Sequence, residues 1–150
     1  MNLSELHTLV GRELAPSDWI TIDQARINAF AACTDDHQFI HTDPERSQRE
    51  SPYGTTIAHG FLTLSLLAAH RPADFPSLDD LGLTINYGLD RLRFLAPVPV
   101  GARVRLLTRV LEAEAKGAGR VLLKQEKTLQ IEGAEKPGYI AEQLTLFVAR

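Results

Sequence analysis

The sequence predicts an α+β fold in which an antiparallel sheet wraps one apolar helix. Residues 60–70 carry the first sign of this. Phe61, Leu62, Leu64, Leu66, Leu67, Ala68 and Ala69 leave no polar face, so a helix here is expected to be buried on all sides. Strand-like alternation carries the second. Val121, Leu123, Leu129 and Ile131 share one parity; Arg120, Lys124, Glu126, Thr128 and Gln130 share the other, as in a sheet with one wet face. The third is a change of character near Asp80, with helix and loop signals before it and strand signals after.

Asn2 to Val10 reads as a short helix ending at Gly11. Trp19-Ile20-Thr21-Ile22 is β-branched and aromatic and reads as a strand. Asp23 is a natural N-cap for a helix through about Cys33, with Ile22 and Ile27 at the positions of a hydrophobic staple. Ile27, Phe30 and Ala31 form its apolar stripe. Asp43-Pro44 starts another short helix, polar through Glu50 and therefore on the surface. Ser51-Pro52-Tyr53-Gly54 is a turn. Leu81 to Leu95 gives a long strand leaving through Pro97, Pro99 and Gly101. Val104, Leu106 and Val110 alternate with Arg103, Arg105 and Arg109, and Ile140, Leu144, Leu146 and Val148 form the last strand. Gly117-Ala118-Gly119 and Glu132-Gly133-Ala134 are hairpin connections.

With 150 residues the chain is expected to form a single domain, residues 1–150. A chain of this size buries roughly 68–70% of its unfolded surface and needs no covalent staple. The net charge of −3 and the lack of any Lys/Arg run argue against nucleic acid. No apolar run is long enough to span a membrane. Residues 1–10 lack the pattern of a signal peptide. The one cysteine, Cys33, cannot form an internal disulfide, which fits a reducing, cytoplasmic setting. Cys33 reads as a small packing residue at a helix end.

The chemistry concentrates between Thr34 and Leu66. Asp36 and His41 stand five positions apart in a loop, and Gly60 opens the apolar helix soon after. That supplies an acid/base pair and the unpaired N–H groups of a helix start, the parts needed for acid/base chemistry on a carbonyl compound. The alternatives are an Asx-turn with a surface histidine, or a metal site from His37, His41, Asp43 and His59. The turn residues and Pro44 break any shared helical face for such ligands, so no metal is expected. His59 is read as a local hydrogen-bonding residue that sets the Gly60 turn.

Four segments carry a resemblance. They are Asp36-His37-Gln38-Phe39-Ile40-His41, Gly54-Thr55-Thr56-Ile57-Ala58-His59-Gly60-Phe61, Ile85-Asn86-Tyr87-Gly88, and Arg93-Phe94-Leu95-Ala96-Pro97-Val98-Pro99-Val100-Gly101. In this order they resemble the MaoC-like dehydratases, the (R)-specific enoyl-CoA hydratases of hot-dog fold, and most of all the nodulation-protein-N-like branch. The family's common form has Gly where Asp35 stands and Asn-Pro where Gln38-Phe39 stand. The spacing to His41 selects Asp36 over Asp35 as the family carboxylate.

The resemblance implies syn hydration of a trans-2-enoyl thioester to the (3R)-hydroxyacyl thioester, or the reverse dehydration. Asp36 would be the base, His41 its acid/base partner, and the Gly60 N–H the oxyanion donor. It implies a homodimer, an acyl-CoA substrate, and no cofactor, coenzyme A being part of the substrate. Asn86 and Tyr87 are candidates for substrate contact. So are Ser65, whose hydroxyl could equally meet a backbone carbonyl, and Arg93, which with Arg91, or Arg103 with Arg105, could meet coenzyme A phosphates. Two other functions use the same parts: a hot-dog acyl-CoA thioesterase, and a non-catalytic acyl-thioester-binding subunit of a dehydratase complex.

Overall fold

The computed structural model describes residues 1–150. Local signals account for most helix ends. Helix α1 (Gln24–Thr34) starts where Asp23 Oδ1 accepts the Arg26 N–H at 2.8 Å. Ile22 and Ile27 are both fully buried in one cluster, which is the staple. The helix stops at Asp35, whose φ of 59° and ψ of 22° are left-handed. Glycine is favoured at that position. An Asp tolerates this conformation better than most residues.

Residues 39–42, read as loop from the sequence, form a helical turn α2 (Phe39–Thr42). Helix α3 (Pro44–Glu50) follows, capped by Asp43 Oδ1 on the Arg46 N–H at 2.9 Å with Pro44 in its first turn. It lies on the surface as its polar sequence requires, except that Ser47 is fully buried and donates to the Phe39 carbonyl at 3.0 Å. The N-terminal helix is a 3-10 segment, Leu3–Leu9. Cys33 is exposed rather than packed; its thiol donates to the Phe30 carbonyl.

Two short strands come first, β1 (Glu13–Leu14) and β2 (Ile20–Thr21). Four long ones follow: β3 (Leu81–Phe94), β4 (Arg103–Ala115), β5 (Arg120–Ile131) and β6 (Tyr139–Ala149). All pair antiparallel in the order β1-β4-β5-β6-β3, with β2 also on β4. Strand β3 is an edge. Three register shifts interrupt its pairing with β6, which bends it.

Helix α4 (Gly60–Ala69) packs Leu62, Leu66 and Leu67 into a cluster with Val104, Leu106, Leu129 and Ile131 of the sheet. The expectation of burial on all sides does not hold for the single chain. Phe61 is 66% exposed, and Ser65 and Ala68 are exposed with it. The sheet covers only one side of the helix. Leu83, Ile85, Tyr87 and Leu89 of β3 are exposed as well, so one apolar face is continuous across helix and edge strand.

The inner face of the sheet is not uniformly apolar. A second cluster, with Leu6, Leu9, Val110, Leu123 and Phe147, is separate from the first. Between the two, β5 places Gln125 and Lys127 at inward positions, and Thr108, Gln143 and Thr145 are buried with them. A buried polar belt therefore divides the core.

The left-handed residue makes a stability prediction. Asp35→Gly should raise stability by about 1 kcal/mol or less, read from the urea-denaturation midpoint, with no change in the position of Asp36.

Candidate active site

His41 sits on α2 and is 7% exposed. Its Nδ1–H donates to the Ile57 carbonyl at 2.7 Å. A carbonyl can only accept, so in the neutral ring the proton lies on Nδ1 and Nε2 keeps its lone pair. Burial pushes the His41 pKa below the usual histidine value; the Ile57 hydrogen bond opposes this, the His59 ring adds to it, and the Asp36 carboxylate opposes it.

His59 joins the two halves of the site. It immediately precedes Gly60 and is 3% exposed. Its Nε2–H donates to the Asp36 carbonyl at 3.0 Å. Its ring stacks on His41 with centroids 3.8 Å apart, and Phe30 packs on it at 4.9 Å. Its Nδ1 is buried with no partner. The local hydrogen bond expected of His59 is not formed: its side chain does not cap α4 and instead ties to a residue 23 positions away in the chain. The Asp36 side chain is 55% exposed and comes within 4.0 Å of His59 Nε2, beyond hydrogen-bonding range.

Gly60 begins α4, and its N–H has no backbone acceptor. A Cβ at this position would lie 2.9 Å from the Phe94 ring, so the residue must be glycine while Phe94 stays in place. His41 and Gly60 line one pocket of about 430 Å³, with Tyr53, Phe61, Thr63 and Phe94. An imidazole lone pair and an unpaired helix-start donor thus share one apolar-walled space. This arrangement can deprotonate or reprotonate a bound molecule on one side and stabilise a developing oxyanion on the other.

A network behind the site was not legible in the sequence. Gln24 accepts from the Thr56 hydroxyl at 2.5 Å and donates to the His41 carbonyl at 2.7 Å. Gln24 reads locally as an ordinary first-turn helix residue, and nothing near it in the chain signals the partners 17 and 32 residues away.

The other sequence candidates scatter. Asn86 and Tyr87 line a second pocket further along α4, with Ser65 on its wall. Asn86 is exposed rather than buried, because β3 is an edge strand. The Ser65 hydroxyl donates to the Phe61 carbonyl at 2.7 Å, the backbone alternative. Arg93 is not brought to the site. It lies with Arg91, Glu126 and Glu142 in a separate depression, outside the acid/base pocket. Arg103 and Arg105 are engaged over the Trp19 ring, at 5.5 and 4.5 Å, and with Glu132 and Gln130.

The metal alternative also changes membership. His37 is exposed and Asp43 caps α3, whereas ligand-type atoms of Asp36, His41 and His59 fall within 4.8 Å of one another. In both imidazoles one nitrogen already meets a backbone carbonyl.

An antiparallel sheet laid over one apolar helix, with Asp36, His41 and Gly60 gathered near that helix's amino end, is the architecture of a hot-dog domain. Residues 5–132 match the family model described as a MaoC like domain, and the chain belongs to the MaoC-like dehydratase family. It is 44% identical to nodulation protein N of Rhizobium leguminosarum bv. viciae over 97% of this chain and 91% of that protein. It is 43% identical to 3-hydroxyacyl-thioester dehydratase Z of Mycobacterium tuberculosis over 99% of this chain and 97% of that protein. Among solved structures, the unliganded R-hydratase of Pseudomonas aeruginosa superposes with a TM-score of 0.72 at 26% identity, covering 99% of this chain and 86% of that one.

The lowered His41 pKa has a sign that can be checked. The unfolded state binds the proton more tightly, so this residue's contribution to stability is complete above about pH 6.5 and is lost as pH falls from there through the folded value. NMR titration of the His41 ring should give a midpoint below 6.5. A midpoint at or above 6.5 would contradict the burial argument.

Proposed function

We propose that this protein is an (R)-specific hydro-lyase that adds water to a trans-2-enoyl-CoA and runs the reverse dehydration. The observation that carries the reading is the shared pocket of His41 and Gly60, with an Asp36 carboxylate oxygen within 4.8 Å of a His41 ring nitrogen. The name of the mycobacterial relative, a 3-hydroxyacyl-thioester dehydratase, supports the reaction class.

In this reading the thioester oxygen accepts from the Gly60 N–H, where the helix dipole favours negative charge. Asp36 and His41 hold one water between them. Asp36 acts as base as the water oxygen bonds to Cβ. The alkene electrons pass onto the thioester as an enolate, and the proton taken by Asp36 passes to the His41 Nε2 lone pair and from there to Cα, so both groups end as they began. Both additions occur on one face because both groups stand on one side of the substrate. No metal or prosthetic group takes part; coenzyme A enters and leaves with the acyl chain. The His41 tautomer suits the role. Its Nε2 is the free acceptor that can take the proton up and pass it on, and burial favours the neutral ring.

The reading extends to assembly. The exposed apolar face of α4 and β3 suits a second copy of the chain, with the two β3 edges meeting as a homodimer of single hot-dog domains. An edge of 14 residues with alternating exposed Leu83, Ile85 and Tyr87 is otherwise a liability. No helix is long and apolar enough to cross a membrane, and we place the enzyme in the cytoplasm on its single unpaired cysteine.

The purified protein should bleach the ultraviolet absorbance of crotonyl-CoA and yield the 3R alcohol by chiral chromatography. Asp36→Asn and His41→Gln should each lower kcat by roughly 10²–10⁴-fold with the fold intact by circular dichroism. Release of free thiol from the same substrate would instead indicate a thioesterase, and binding without turnover a non-catalytic subunit. Sedimentation equilibrium should give twice the chain mass, and Ile85→Lys should shift it toward the monomer.

A further inference from the structure

The polar belt inside the sheet contains a charge that the fold leaves uncompensated. Lys127 is 3% exposed. Its ammonium donates to the Thr108 hydroxyl at 3.0 Å, a neutral partner for one of its three donors. Beside it is a cavity of about 40 Å³ between the end of α4 and the sheet. Lys127, Arg71, Gln125, Gln143, Thr145 and Asn86 supply its polar wall, and no carboxylate lines it. Asp74, in the loop after α4, is already taken by the Ala15 N–H at 2.8 Å. Arg71, at the rim, reaches the Thr84 hydroxyl at 3.3 Å. Two cations thus converge on one small space with no protein anion. Burial, and after it the Arg71 charge, lowers the Lys127 pKa to about 8. Buried charges of this kind are paired in folded proteins or else are costly.

The position of the cavity says what could pair them. Three pockets follow one another between α4 and β3. The first, with His41, is lined by Gly60, Phe61 and Thr63 of α4 and by Phe94 at the end of β3. The second is lined by Leu64, Ser65 and Leu67 and by Tyr87 to Leu89. The third is the cationic cavity, lined by Leu67, Ala68 and Arg71 and by Thr84 and Asn86. The second and third share Leu67, Ala68, Asn86 and Gln143. The second and third pockets therefore join, running from an apolar stretch to two positive charges, while the first, with the Gly60 N–H, lies nearer the start of α4 and shares no lining residue with them. Leu67 and Ala68 lie about 11 Å along the helix from Gly60, at 1.5 Å per residue. An extended acyl chain of roughly 8–10 carbons spans that distance, with C–C bonds near 1.5 Å in zigzag.

We propose that Lys127 and Arg71 form a distal anion subsite, and that the preferred substrates are medium-chain enoyl thioesters carrying a carboxylate at the far end of the acyl chain. This rests on the hydratase reading for the reaction but not for the binding. The carboxylate would replace water at the belt and accept from both cations, while the middle methylenes lie against Leu64 and Leu67. A plain alkyl end of the same length would strip water from the ammonium and return no hydrogen bond, so the pocket discriminates against it.

Two measurements separate this from the proposed reaction. In the first, calorimetry compares saturated acyl-CoAs of matched length that end in methyl or carboxylate, so no catalysis is required. The wild type should bind the carboxylate-ended thioester on the order of 10-fold more tightly or better, the range of a charge-assisted hydrogen bond. Lys127→Met and Arg71→Gln should each remove that preference. In the second, hydration kinetics compare the matching 2-enoyl-CoAs and crotonyl-CoA. Both variants should lose the kcat/KM advantage of the carboxylate-ended substrate and keep crotonyl-CoA turnover unchanged, since that chain is too short to reach the belt. Arg71 lies on the surface and Lys127→Met replaces a buried charge by an apolar side chain of similar length, so both variants should fold. Equal affinity for the two chain ends in the wild type would overturn the inference. So would a preference that survives both substitutions, or stabilisation by inorganic phosphate alone with no preference among thioesters. If no enoyl thioester is hydrated but the calorimetric preference stands, the reaction reading fails and the subsite holds.

Discussion

The candidate site depends on a clasp of hydrogen bonds around residues 56–59. The Ile57 N–H donates to the Ile40 carbonyl at 2.9 Å, and the Ile57 carbonyl accepts from His41 Nδ1. The Ala58 N–H donates to the Val98 carbonyl at 2.8 Å, and His59 reaches back to the Asp36 carbonyl. Thr56 is anchored through Gln24 to His41. One extended stretch of four residues thereby fixes the acid/base turn, the strand exit at 98–100 and the start of α4 relative to one another. Each bond is modest singly, near 1 kcal/mol. Together they leave the His41 lone pair and the Gly60 N–H little freedom to drift apart. Positioning at this level is what acid/base and oxyanion chemistry requires.

The clasp also explains the unusual residues. Asp35 accepts a left-handed backbone so that α1 can stop and present Asp36 to His59. Gly60 leaves room for Phe94, which in turn stands edge-on to Phe61 and Tyr139. The unpaired Nδ1 of His59 is the cost of using its other nitrogen as a tie. Phe39, where the family's common form has proline, is covered by the Arg46 guanidinium at 4.1 Å, so an aromatic there keeps a partner at the surface.

The groove and the belt give the fold a direction. At the amino end of α4 the Gly60 N–H has no backbone acceptor; beyond its carboxyl end Arg71 and the buried Lys127 line a cavity without a carboxylate. Between them the helix is apolar. A sheet with an uninterrupted apolar inner face would pack more stably than one carrying Gln125 and Lys127 inward. Carrying a buried ammonium with one neutral partner has an energetic cost.

How much was legible follows from the range of each interaction. Helix starts at Asp23 and Asp43, the Ile22–Ile27 staple and the four long strands come from contacts within a few residues or from strict alternation, so the chain announces them. The α+β class and the apolar central helix follow in the same way, and spacing and resemblance singled out Asp36, His41 and Gly60 as candidates. Gln24, the long reach of His59 and the inward turn of Lys127 were not. Strand parity alone puts Gln125 and Lys127 with Leu123 and Leu129, but which parity faces inward is decided by the partner elements. The half-bare state of α4 is likewise a tertiary fact: local pattern shows that a helix is apolar all round, while only packing shows how much of it one sheet can cover. Sequence determined what forms within reach of each residue; the fold decided what meets across distances of tens of residues, because those contacts depend on register and crossing of elements that no local signal encodes.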